Sequence, residues 1–387
     1  MKKYIFIVLT ALLFLHGKNC SAQDSIKAVN NKLLFTGQIS TWGNYNYSNT
    51  LPVYLGVRYI PTLHYSIKFP HEKLIDFEAS ANIFGTYNSH PFDTSITDGS
   101  IMPYRAWARF ATRQLEIRLG LQKINFGSST LLRPLMWFDQ LDPRDPLKLT
   151  NGVWGVLGRY YFLNNANLWL WCLYGNRKPR PWDIGPTHKN IPEVGTRFQY
   201  PVPKGEIALT YHYRVADTRS IDNNVPAFAE IPENRIGIDG KWDFGYGVWF
   251  EGSWINKSKN IGELTNQEIL NIGADNTYKI GKGLNVVFEQ LLAASDKHAF
   301  AFSKNILFSG LSLSYPLGIV DNVNAIVYYD WKNNASYNFI NWNHNFKYIS
   351  LYMMGYWNPE IFLLPQQGDT ANSYSGNGIQ IMLVYNY

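Results

Sequence analysis

Arginine recurs in this chain where a strand would turn it to the polar side. Around 100–111, Arg105 and Arg109 share a face with Trp107, while Tyr104, Ala106, Ala108 and Phe110 share the other. In Leu115-Glu116-Ile117-Arg118-Leu119-Gly120-Leu121-Gln122, the apolar face is Leu115, Ile117, Leu119 and Leu121, and Arg118 lies opposite beside Glu116. Arg58, Arg159, Arg197 and Arg214 fall in similar stretches, with His212, Arg235 and Lys241 nearby. A guanidinium stays charged and presents a planar fork of donors that fits carboxylate or phosphate. Its chemistry is therefore binding and selection of anions. Acids occupy comparable positions (Asp76, Glu78, Glu116, Glu206, Asp239, Glu251, Asp275, Glu289), so bracing by salt bridges is the competing role for any single arginine.

Between 127 and 151 strand alternation stops. This stretch holds Arg133-Pro134, Asp139, Asp142-Pro143-Arg144-Asp145-Pro146 and Lys148. Loops this long inside a compact domain are usually functional. Each proline fixes φ and removes a donor, so Pro134, Pro143 and Pro146 stiffen the loop. We expect it to fold inward and narrow a passage against the wall carrying Arg105, Arg109, Arg118 and Arg159. Its acids Asp139, Asp142 and Asp145 would face that basic wall and set up a transverse field. Arg133 and Arg144 complete the expected lining, together with Trp107, Arg197 and Arg214.

The elements that position these groups are strands. From Leu34 onward there are eighteen period-two segments, at 34–47, 53–68, 74–88, 100–111, 115–126, 152–163, 166–174, 192–200, 205–215, 233–243, 246–256, 268–278, 283–294, 304–315, 321–332, 336–342, 347–357 and 376–387. Most are long enough for a tilted membrane crossing. Short links such as 111–114, 164–165 and 281–283 follow even-numbered segments. Longer links follow odd ones: 89–99, 127–151, 175–191, 216–232, 257–267 and 358–375. Segregation of loop length by strand parity is what an up-and-down transmembrane β-barrel predicts, with both termini on one side. A soluble β-sandwich has no reason for it. No later stretch approaches the roughly 18 apolar residues of a membrane helix. Yet 46% of residues are hydrophobic and 16% aromatic, so the apolar residues are spread at alternate positions. The fold class expected is an all-β, antiparallel barrel of about eighteen strands, in one domain over 23–387.

Residues 1–22 read as a secretory signal peptide: Lys2 and Lys3, an apolar run from Tyr4 to Leu15, and a small-residue cleavage site at Cys20-Ser21-Ala22. Its removal takes away three lysines and no acids, lowering net charge from +6 to about +3, too little to argue for nucleic acid. Cys172 is then the lone thiol, read as a small strand residue. HExxH, CxxC, GxSxG and phosphate-binding glycine loops are absent from the sequence, and no metal or cofactor is expected. His64-Tyr65-Ser66 resembles the His-x-Ser of outer-membrane phospholipases. Val57, Tyr59, Leu63, Tyr65 and Ile67 take the apolar face there, which turns His64 and Ser66 away from lipid. Trp107 and Trp249, both read as inward, offer stacking surfaces; most other tryptophans are expected in interfacial girdles.

The chain as a whole resembles Gram-negative outer-membrane porins. The last strand, with Ile379, Ile381, Leu383, Tyr385 and Tyr387, resembles the C-terminal signature recognised by the barrel-assembly machinery. Leu119-Gly120-Leu121-Gln122-Lys123-Ile124-Asn125-Phe126-Gly127, followed by Leu131-Leu132, is similar to a motif of alginate-export-type barrels, with Leu121 where that family carries arginine. That family implies an arginine-lined pore for an anionic polymer. The expectation is a non-enzymatic outer-membrane channel for small hydrophilic, anionic solutes or oligosaccharides, in contact with outer-membrane lipids and open to homo-oligomer formation. An assembly or adhesion barrel, or an outer-membrane hydrolase, are the alternatives.

Overall fold

Alternation of apolar and polar side chains leaves these segments one way to satisfy both faces and every backbone donor: pair edge to edge until the sheet closes. A computed structural model describes residues 33–90, 94–221, 225–360 and 374–387. The signal peptide lies outside the described residues, as does most of the link 358–375. The described strands are β1 Leu33–Asn46, β2 Val53–Phe69, β3 Lys73–Ser89, β4 Ser95–Ala111, β5 Leu115–Gln122, β6 Val153–Tyr161, β7 Asn167–Leu173, β8 Glu193–Val202 and β9 Gly205–Ala216. Then follow β10 Ile231–Asp243, β11 Gly247–Lys257, β12 Asn266–Tyr278, β13 Leu284–Asp296, β14 Asn305–Pro316, β15 Asp321–Asp330, β16 Ala335–Asn345, β17 Ile349–Trp357 and β18 Asn377–Asn386.

Each strand pairs antiparallel with its sequence neighbours, and β1 closes the sheet on β18 through the register Gln38↔Asn386 to Asn46↔Gly378. The start of β1 and the end of β18 therefore share one rim, the rim of the short turns. Among the described residues the eighteen strands match the eighteen expected segments, with shifts at the ends. β4 begins at Ser95, so the expected long link 89–99 shrinks to 90–94. β5 stops at Gln122 instead of 126, because the chain leaves the wall there and enters the barrel. β16 runs on to Asn345, and β15–β16 are joined by 331–334 alone, a short link in an odd position. Between β3 and β4 the register shifts where Ser80 faces Arg105 but Ala81 faces Pro103. Tyr104 is the extra residue of this bulge, so the alternation that would place it with Ala106 breaks there.

The outer surface is apolar. On β18, Ile379, Ile381 and Leu383 are exposed while Gln380, Met382 and Val384 are buried; Leu119 and Ile272 project outward in the same way. Cys172 is an exposed outward residue of β7. No helix among the described residues is long and apolar enough to cross a membrane; the strands are the crossing elements. The hydrophobic core lies inside the barrel. Phe126, Leu131, Leu132, Leu135, Trp137 and Phe138, from the long segment between β5 and β6, pack on Trp171, Ile255, Leu291 and Phe308 of the wall. Full burial of each such side chain contributes about 1.5–3 kcal/mol. Gly237 on β10 is needed for this approach, since a side chain there would collide with Leu135 and Trp137.

Candidate functional site: the inner wall and two inserted loops

The segment after β5 is held to the inner wall through its own main chain. Glu289 on β13 accepts from the amides of Thr130 (2.6 Å), Leu131 (3.2 Å) and Leu132 (2.6 Å). Glu251 on β11 accepts from Ser129 and Leu135 at 2.6 and 3.2 Å. Asn271 of β12 donates to Ser129 Oγ (2.7 Å), and Trp137 Nε1 donates to Ser253 Oγ (3.2 Å). A chain without secondary structure has unpaired amides, and buried carboxylates are strong acceptors for them. Sequence reading placed Glu251 and Glu289 inward without seeing this role. The available signal was an irregular, donor-rich segment of some two dozen residues with nothing local to bond.

The loop's charges are spent on the loop itself. Arg133 bonds Asp139 at 3.0 Å, Asn125 Oδ1 at 2.7 Å and the carbonyl of Phe126 at 3.1 Å. Arg144 closes on Asp142 through two bonds of 3.0 and 2.8 Å. Asp145 accepts from the amides of Leu147 and Leu149, and burial pushes its carboxyl above the usual range despite those bonds. The expected transverse field from Asp139, Asp142 and Asp145 onto the arginine wall is thus corrected: two of the three are neutralised within the loop. The third, Asp145, acts by charge on Arg58 of that wall, and the end of the loop meets it where Arg105 Nη2 donates to Thr150 O at 2.9 Å.

The link 174–192 inserts beside it. Trp182 Nε1 donates to the carbonyl of Arg133 at 2.9 Å, joining the two loops. Asp183 meets Arg180 (3.1 Å), Arg214 (3.1 Å) and Arg235. Burial alone would raise the Asp183 carboxyl, but the three guanidiniums outweigh it and hold it well below the usual range. Glu233 pairs with Arg214 at 2.6 Å and Arg235 at 2.5 Å, and Glu193 with Arg180 at 2.5 Å. His212 accepts from Trp171 Nε1 at Nδ1 (3.2 Å), so its proton sits on Nε2, which faces Glu193 at 3.1 Å. Arg197 forks onto Asp239 at 2.6 and 2.9 Å.

Four residues expected to line the passage are therefore braces. Arg133, Arg144, Arg197 and Arg214 are 4%, 2%, 3% and 0% exposed, and carboxylates saturate them. Asp183 and Glu193 escaped sequence reading, because Asp183 lies in an irregular link and Glu193 at the first position of β8.

On β2–β6 the picture differs. Arg109 bonds Asp76 at 2.6 Å and Glu116 at 3.4 Å; Arg118 and Arg159 reach the same Glu116 at 3.2 and 3.4 Å. One carboxylate thus serves three guanidiniums, whose side chains remain 25%, 16% and 16% exposed. Arg118 lies over the Trp107 ring at 4.6 Å, and Arg159 over Trp169 at 3.9 Å. Higher on this wall, Arg105 bonds only the carbonyls of Tyr104 and Thr150, and Arg58 stacks near Trp42 and Phe84. Neither forms an ion pair among the described residues, although Asp145 lies near enough to Arg58, and Glu78 to Arg105, to act on them by charge. Of the other acids of this wall, Glu78 stands 3.8 Å from His64 and Asp98 of β4 is registered opposite Thr86, while Ser66 is registered opposite Asp76. Trp249 is buried under Lys241 on the other side of the barrel and offers no free stacking face.

A closed antiparallel barrel with an apolar exterior, a charged interior and loops folded within is a membrane-spanning β-barrel of the porin type. Solved structures agree on that fold. The chain is similar to OccD3 of Pseudomonas aeruginosa (TM-score 0.58, 9% identity, 92% of this chain and 91% of that one). It is also similar to OccAB4 of Acinetobacter baumannii (TM-score 0.53, 10% identity, 92% and 97%). An anion-selective porin from Comamonas acidovorans matches at TM-score 0.50 with 13% identity, over 92% and 100%. No family model matches the sequence, and no curated protein matches it either.

Proposed function

We propose that the protein is a passive outer-membrane channel for small hydrophilic solutes, and that its passage favours anions. The observation that carries this reading is the under-neutralised wall of β2–β6. Arg58, Arg105, Arg109, Arg118 and Arg159 face the lumen against Asp76, Glu78, Asp98 and Glu116, and the three lower guanidiniums keep part of their surface free. Charge there cannot be on the lipid side at tolerable cost, and rings or stripes of one sign select ions in a narrow pore. The loop 123–152, docked on the far wall by Glu251 and Glu289, narrows the lumen from the opposite side, so the passage runs between it and the arginine stripe. The Comamonas neighbour, which is described as anion-selective, supports the same reading, and the two Occ barrels share the fold.

The test is reversal potential across a planar bilayer with a salt gradient. The triple variant Arg105→Ala, Arg109→Ala, Arg118→Ala should shift the anion-to-cation permeability ratio towards cations by about twofold or more, since Asp76 then stands uncompensated and Glu116 keeps only Arg159. A triple variant with the parent's reversal potential would make these arginines braces and overturn the proposal.

A further inference from the structure

A second surface inside the barrel is chemically unlike the arginine stripe. Between the loop and strands β13–β17 lies a chamber of about 640 Å3, within the range of roughly 300–1,000 Å3 typical of small-molecule sites. Its wall side is built from amides and hydroxyls. Asn324 and Asn341 are direct cross-strand partners on β15 and β16, and Asn343 faces Tyr352 across β16 and β17. Ser312 joins from β14, next to Asn324 on the same face.

These groups are short of partners. Asn341 is 7% exposed, and its Oδ1 has no hydrogen bond among the described residues. Asn324 Oδ1 accepts from Asn322 at 3.0 Å, which leaves its NH2 group free. The Asn343 amide and the hydroxyls of Ser312 and Tyr352 likewise have none among the described residues. A buried amide without a partner is costly and calls for an explanation; Asn341 is the buried one of this set, and Ser312, Asn324, Asn343 and Tyr352 are half-buried around it. Donors and acceptors of both kinds therefore converge on one space.

The charges of the lining are mostly paired. The loop side carries Arg133, Arg144 and Lys148, but Arg133 is held by Asp139 and Arg144 by Asp142. Lys148 and Asp145, neither ion-paired to the other, add one group of each sign. Phe339 and Ile326 form an apolar floor next to the amides, again registered opposite each other. Phe339 and Ile326 are themselves buried, and the ring left half-exposed beside the amides is Tyr352; free amides of mixed polarity beside it suit a molecule with hydroxyls round its edge and C–H groups on its face.

We infer that this chamber binds a neutral polyhydroxylated solute of mono- or disaccharide size, held by Asn324, Asn341, Asn343 and Tyr352. The site is separate from the arginine stripe and goes beyond anion passage. Isothermal titration calorimetry on the detergent-solubilised full barrel tests it without needing an open channel. The probes are maltose, sucrose and trehalose, with glucuronate as the charged analogue and a polyethylene glycol dimethyl ether of similar size as the donor-free one. At least one neutral disaccharide should bind saturably, and the polyethylene glycol dimethyl ether should not. Asn324→Leu with Asn341→Leu should weaken binding by about tenfold or more, as lost buried hydrogen bonds imply. Arg118→Ala should leave it unchanged, so failure here and failure of anion selectivity are told apart. Should the leucine pair not fold, Asn343→Ala and Tyr352→Phe carry the test, each with weaker binding expected. The inference is overturned if none of the three sugars binds, if folded variants bind as the parent does, or if glucuronate binds tenfold more tightly than every neutral sugar.

Discussion

Arg118 and Arg214 are both inward arginines of one barrel wall, yet one keeps 16% of its side chain exposed and the other none. The difference lies in what reaches them. Around Arg214, the link 174–192 delivers Asp183 and the neighbouring strand supplies Glu233, so every guanidinium there meets a carboxylate. Around Arg118, no loop delivers an acid, and Glu116 is divided among three arginines. The same residue type is thus a saturated brace on one side and a partly free, partly solvated group on the other, which is the group proposed to select. Incoming loops make the distinction, and strand alternation does not.

The largest expected effect comes from removing what fills the braced half. Deleting 133–146 takes out Leu135, Trp137 and Phe138, and should raise single-channel conductance several-fold while relaxing selectivity. An unchanged conductance would mean that the loop does not narrow the path. Next in size is Asp183→Ala, which leaves Arg180, Arg214 and Arg235 short of a buried anion. It should lower the unfolding free energy by about 3–5 kcal/mol in denaturant titration. The matching change on the open side, Glu116→Ala, should cost about 1 kcal/mol or less, because its pairs are partly solvated. Equal losses for the two would erase the comparison. Ile272→Arg probes the outside instead: a charge on an exposed apolar position of β12 should cost about 2–4 kcal/mol near the membrane midplane. The smallest effect is screening. Anion preference of the parent should fade between 0.1 M and 1 M salt, as the Debye length falls from about 10 Å to about 3 Å. A preference that holds at 1 M salt would move selection from the solvated stripe to enclosed groups.

Much of the barrel was legible in advance because strand period and membrane thickness constrain each segment locally. Leu115 to Gln122 reads as a strand from eight residues, and Asp76, Glu116, Glu251 and Glu289 read as inward for the same reason. The end of β5 was misread: Lys123-Ile124-Asn125-Phe126 still alternates, but out of phase with Leu115 to Leu121, which puts Ile124 and Phe126 on the inward side, where they are buried in the lumen. Nor could the sequence distinguish Arg133 from Arg118, since both are arginines near acids in the chain.

What the sequence alone determined is the sheet: eighteen alternating segments, short and long links in strict order for most of the chain, and the side to which each charge points. These follow from a period of two and from the cost of charge in lipid, both local properties. Only the tertiary structure decided which charges are neutralised. That Asp183 reaches Arg214 and Arg235, and that Glu289 holds the amides of Thr130 to Leu132, depends on where two irregular loops settle. Their conformations are set by contacts between residues far apart in the chain, for which no sequence period exists.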